Sequence, residues 1–61
     1  MRVYKWHAHA MAILEVCGGE VRPTFFPDRE RAKSWLLDHV SHALSDEELA
    51  AFFSGSAIRS R

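Results

Sequence analysis

The residues with the widest chemical range in this chain are four histidines and a lone cysteine. His7 and His9, in "KWHAHAMAILEV", are two apart, so on a strand both imidazoles share one face and reach one metal ion; His39 and His42, three apart, permit joint ligation on a helix. Asp38 or Cys17 would complete four ligands. Neither pair, however, has the ligand spacing of a zinc motif. Cys17 has no second thiol for a disulfide, and no histidine and acid stand at motif spacing to make it a nucleophile. Paired carboxylates, a phosphate-binding loop and a serine-centred elbow are missing from the sequence as well. The chain therefore reads as non-catalytic, with no cofactor and no metal. His39 reads as a partly buried imidazole donating to a nearby acceptor, and Asp38 with His42 as a surface pair worth about 0.3 to 0.5 kcal/mol.

The elements that must carry these side chains are a hairpin and two helices. Gly18-Gly19 suits a two-residue hairpin turn between "ILEVC" and "EVRPTFF". Setting Cys17 opposite Glu20 places Val16 on Val21, Glu15 on Arg22, Leu14 on Pro23, Ile13 on Thr24 and Ala12 on Phe25. One face is then apolar throughout, and the other carries a complementary charge pair. Pro23, which lacks an N–H, marks the second strand as an edge. Extended backwards, the first strand keeps its even-numbered residues apolar as far as Tyr4, with Lys5, His7 and His9 on the opposite side. The competing reading is an alanine-rich helix over residues 6–16, which lacks an N-cap.

Asp28 is a good N-cap, and Ala32, Trp35, Leu36, His39, Val40 and Ala43 form a helical stripe that should lie on the apolar face of the hairpin. Ser45 with Glu48 makes a capping box, predicting a short helix over residues 46–53 that ends before Gly55. The fold class is α+β: a small hairpin with a long first strand, packed against one amphipathic helix plus a short C-terminal helix, in the order β, β, α, α. Residues 1–61 form a single domain.

Composition narrows the function classes. A domain of this size buries only about 60% of the surface its unfolded chain exposes, so stability is marginal. An apolar fraction of 48% and a charged fraction of 26% are those of an ordinary globular domain. No apolar run approaches the roughly 20 residues that span a bilayer, and the amino terminus does not read as a signal peptide, so no membrane role and a reducing cytoplasm are expected. Eight basic and eight acidic side chains cancel. That balance favours neither a nucleic-acid binder nor an acidic mimic of one.

Two surfaces remain to be used. The second strand is too short to cover residues 3–10, whose free edge must pair with the tail "SAIRS" or with a second copy of the chain; a symmetric homodimer is the preferred solution. Phe25-Phe26 and Phe52-Phe53 are adjacent aromatics, and on a strand Phe25 and Phe26 must point to opposite faces, Phe25 to the core. Met11, Ile13 and Phe26 then form an apolar patch, covered either by the carboxy-terminal segment or by another molecule. Trp6 and Trp35 read as packing anchors.

In size, neutrality and compact β, β, α plan the chain resembles the accessory proteins of bacteriophages and other mobile elements, which include inhibitors of host defence such as anti-CRISPR proteins. The resemblance covers the architecture alone and carries over no functional residue. The expected function is a protein–protein interaction module that binds stoichiometrically, as a small regulator or inhibitor of a larger complex. Its expected contacts are Tyr4, His7, His9, Met11, Ile13, Phe26 and Phe53. The alternative is a small nucleic-acid-binding accessory protein using Arg22, Arg29, Arg31, Lys33, Arg59 and Arg61; a metal held by His7 and His9, within a chain or between two, is the third reading.

Overall fold

The structure, a computed structural model, describes residues 1–40 and 42–60, the last through its backbone alone. Its elements in chain order are β1 (Arg2–His7), β2 (Ala12–Cys17), β3 (Glu20–Phe25), α1 (Arg29–His39), α2 (Asp46–Phe53) and β4 (Ile58–Ser60). The strands form one antiparallel sheet in the order β3-β2-β1-β4. The α+β class stands, with four strands where two were expected.

The β2–β3 hairpin has the expected register at all six pairs, from Ala12 on Phe25 to Cys17 on Glu20. Gly18 and Gly19 have φ of 58° and 83°, the two positive values that a type I′ turn requires. β3 is an edge strand, as Pro23 demands.

The long first strand does not exist. It is broken at residues 8–11, where the chain reverses and β1 pairs back on β2, His7 opposite Ala12 and Val3 opposite Val16. The reversal is closed by the Met11 N–H donating to the Ala8 carbonyl (3.3 Å) and by the Ala10 N–H donating to His7 Nδ1 (3.1 Å). Met11 sits at φ 52°, a left-handed conformation that costs a non-glycine residue about 1 to 2 kcal/mol. With no Gly, Asn or Pro in it, this turn has none of the usual sequence marks.

The reversal changes which residues share a face. Partners across β1 and β2 have opposite parity, so Tyr4 and Trp6 line up with Glu15 and Ile13 rather than with Leu14 and Val16. The helices cover the Tyr4 side. Tyr4 and Ile13 are 1% and 0% exposed and pack with Ala32, Leu36 and Val40, Leu49 and Phe52 of the helical layer, and Ile58 of β4. Leu14, Val16, Val21, Pro23 and Phe25, expected to form the core, lie on the face turned away from the helices.

The first turn of α1 is capped by Asp28, whose carboxylate accepts from the Arg31 N–H at 2.9 Å. Its buried stripe is Ala32 and Leu36, continued by Val40 at the C-cap; Ala43 lies beyond the helix and His39 is exposed, so the stripe is shorter than expected. In α2 the capping box is complete: the Glu48 N–H donates to Ser45 Oγ (3.1 Å) and the Ser45 N–H to the Glu48 carboxylate (3.0 Å). The helix ends with Ser56 N–H donating to Ala51 and Gly55 N–H to Phe52, a Schellman arrangement with Gly55 at φ 119°. From there β4 pairs with β1, Ile58 on Tyr4 and Arg59 on Val3. The tail is thus the partner of the Arg2–Tyr4 part of this edge, one of the two solutions expected for it.

Two stability measurements follow from this packing. Ile13→Ala is expected to cost about 2 to 5 kcal/mol in urea unfolding, and Phe25→Ala to stay within about 0.5 kcal/mol of the parent; the reverse order would mean that the other face is the core. Ser45→Ala is expected to cost about 1 kcal/mol by removing the cap of α2. Hydrogen bonds from Ser45 hold the Glu48 carboxyl below its usual range, so the stability it adds is complete above the unfolded carboxyl value and is lost as pH falls through the lowered folded one. The cost of Glu48→Gln, measured by unfolding at successive pH values, should therefore shrink on acidification.

Candidate functional site

The sheet has one face under the helices and one without them. On the open face β1 contributes Val3, Lys5 and His7, β2 contributes Ala12, Leu14 and Val16, β3 contributes Val21, Pro23 and Phe25, and β4 contributes Arg59; the alternation of side chains and the three registers place them together. Phe25 is 67% exposed and Val21 57%. Val3, Leu14 and Val16 are half-buried by their neighbours, and Ala12 is buried. The result is a continuous apolar surface over β2 and β3, bordered by the cations Lys5 and Arg59 on the β1–β4 side.

This surface arises because β2 carries apolar residues on both of its faces. In "AILEVC" the odd positions put Ile13 under the helices, and the even positions put Ala12, Leu14 and Val16 on the outside. Apart from Glu15 the segment reads as a strand buried on both sides, yet only one side is covered by helices.

Several expected contact residues are elsewhere. Tyr4 and Ile13 are core residues and cannot touch a partner. Phe26 turns inward against Trp35, ring centroids 5.8 Å apart, so the expected order of Phe25 and Phe26 is inverted. Phe53 is half-buried between Trp6 (5.0 Å) and Phe52 (5.2 Å), with the Arg29 guanidinium 4.7 Å from its ring centre. Met11 is half-buried in the turn, where its carbonyl accepts from the Phe26 N–H at 2.9 Å. His7 is exposed on the open face, and His9 lies in the turn beyond the strand. Their strand spacing therefore does not apply, and Nδ1 of His7 is engaged by Ala10. Among the described residues no three of His, Cys, Asp and Glu stand together as metal ligands.

His39 is exposed, contrary to expectation, but it does donate: Nδ1 is 2.7 Å from the Trp35 carbonyl, so the hydrogen must be on that nitrogen, and the ring stacks on Trp35 at 3.9 Å. Trp35 also meets Tyr4 edge-on at 5.9 Å, and the Tyr4 hydroxyl makes a long bond to the His39 carbonyl at 3.5 Å. This aromatic set closes the end of α1 onto the sheet.

The basic residues of the nucleic-acid reading do not converge. Arg22 lies on the helix side of β3, paired with Glu20 at 3.3 Å; Arg29, Arg31 and Lys33 are on α1; Arg59 is on the opposite, open face; Arg61 lies outside the described residues. On the helix side of the sheet, a cleft of about 150 Å³ is lined by Arg2, Glu15, Cys17, Glu20 and Arg22. Arg2 is paired with Glu15 at 3.1 Å and Arg22 with Glu20, so its charges are already matched within the chain. No helix among the described residues is long and apolar enough to cross a membrane.

No protein-family model, curated protein or solved structure matches the chain.

An apolar face of this kind should bind a hydrophobic fluorescent dye such as anilinonaphthalene sulfonate in the native state. Val21→Lys with Phe25→Lys is expected to remove most of that signal while leaving the circular dichroism spectrum unchanged; an unaltered signal would place the dye elsewhere.

Proposed function

We propose that the chain is a non-catalytic protein-interaction module that works by stoichiometric binding, as a small regulator or inhibitor of a larger complex, and that it binds through the open face of its sheet. The observation that supports this reading is the exposure of Phe25 and Val21 beside Leu14, Val16 and Pro23, an apolar surface assembled on rigid strands rather than on loops. Burying apolar area contributes about 25 cal/mol per Å², so such a face lowers the free energy of the system when another surface takes it out of water. Side chains on paired strands lose little further entropy on binding, which favours affinity.

The test is capture of a binding partner from cells that produce the protein, followed by reconstitution with that partner at defined ratio. Phe25→Asp is expected to weaken binding by more than tenfold, since it replaces the most exposed large apolar side chain of the face with a charge. Leu37→Asp, on an exposed position of α1, should leave binding intact. Equal loss from the two variants, or indifference to Phe25→Asp, contradicts the assignment of the face.

A further inference from the structure

The charge on this neutral chain is divided between its two sides. Glu15 and Glu20 lie on the helix side of the sheet, as their pairing with Arg22 and Cys17 shows. The other six carboxylates belong to the helical layer: Asp28 caps α1, Glu30 and Asp38 lie within it, and Asp46, Glu47 and Glu48 open α2. None of the eight is on the open face, which carries Lys5 and Arg59, both exposed, and the imidazole of His7.

We infer that the open face receives an amphipathic helix of a partner protein, its apolar stripe on Leu14, Val16, Val21 and Phe25 and its flanking carboxylates on Lys5 and Arg59. This rests on the interaction reading above and names the chemistry of the occupant. Three strands spaced about 4.8 Å apart, each about 20 Å long, offer a surface that one helix of roughly 13 residues covers from end to end. Arg59 faces Val3, and Lys5 is two residues further along β1, a diagonal of about 7 to 8 Å. Carboxylates one turn apart on a helix, about 5 to 6 Å between Cβ atoms, reach both cations from one flank. The opposite flank then lies on β3, which has no charge on this face.

Other occupants fit less well. A second copy stacked face to face would place two sets of Lys5 and Arg59 in one interface with no carboxylate to pair them, and like charges across an interface weaken it. A nucleic-acid strand would need stacking rings and more phosphate contacts than two cations supply, whereas this surface is mainly aliphatic. An added strand would use a sheet edge and leave the apolar face uncovered; of the two edges, that of β3 is interrupted by Pro23 and that of β4 is three residues long.

The experiment uses the full chain labelled with nitrogen-15 and two helical peptides of about 18 residues with the same leucine stripe, one flanked by glutamates and one by lysines. The glutamate peptide is expected to shift the amides of β2 and β3, to bind at least about fivefold tighter than the lysine peptide at low salt, and to lose that margin as salt is added. Lys5→Glu with Arg59→Glu should reverse the preference while the shifts stay at Val21 and Phe25. Equal binding of the two peptides, binding of neither, or shifts confined to the helices overturns the inference. So do concentration-dependent shifts of the same amides in the protein alone, which identify a second copy, and shifts there with an oligothymidine or with phosphatidylserine vesicles. If the peptides fail while Phe25→Asp still abolishes capture of the native partner, the docking face stands and only the acidic helix is lost; if capture is indifferent to Phe25→Asp, both fall.

Discussion

The reversal at residues 8–11 is the constraint on which the rest of the molecule depends. Strand side chains alternate with a period of two, so the number of residues in a turn decides which positions of the next strand share a face with the last. Here His7 pairs with Ala12, and Tyr4 and Trp6 are thereby placed beside Ile13 and Glu15. Had the strand run on unbroken, Tyr4 and Trp6 would have joined Leu14 and Val16. The left-handed Met11 is the local cost of the reversal, and the Ala10 bond to His7 helps to hold it.

Once that parity is set, the helical layer has a single place to lie. Tyr4, Ile13 and Ile58 offer a buried strip across the three strands β2, β1 and β4, and Leu36, Leu49 and Phe52 fill it from above. Around the strip the aromatic rings meet edge to face, Trp35 on Tyr4 and Phe26, Phe53 on Trp6. Such pairs add about 0.5 to 1.5 kcal/mol each beyond the area they bury, a useful fraction of the stability available to a domain this small. β4 then closes part of the β1 edge. At the opposite margin of the sheet, Pro23 interrupts the row of backbone donors on β3.

The same arithmetic leaves an apolar face without helices and gathers every carboxylate on the other side. A net charge of zero conceals this, because composition averages over both sides of the sheet. Position, rather than amount, of charge is what gives the open face its preference in the proposed interaction. The histidines are dispersed over the fold: His7 is at a strand end on the open face, His9 lies in the turn, and His39 stacks on Trp35.

What the sequence by itself determined is local. The Gly18-Gly19 turn with its six-pair register, the Asp28 cap, the Ser45 and Glu48 capping box and the limits of α2 all depend on residues near one another in the chain, so their partners follow from local spacing. The tertiary structure alone decided which face of that hairpin is buried, which of Phe25 and Phe26 is exposed, and that the tail pairs with the first half of β1. Hydropathy pointed to the other face, since the even positions of "AILEVC" are all apolar while the odd ones include Glu15, and the turn at residues 8–11 carries no Gly, Asn or Pro to announce it. The choice fell to the packing of Tyr4, Trp6 and Ile13 against the helices, a set of contacts between residues far apart in the chain.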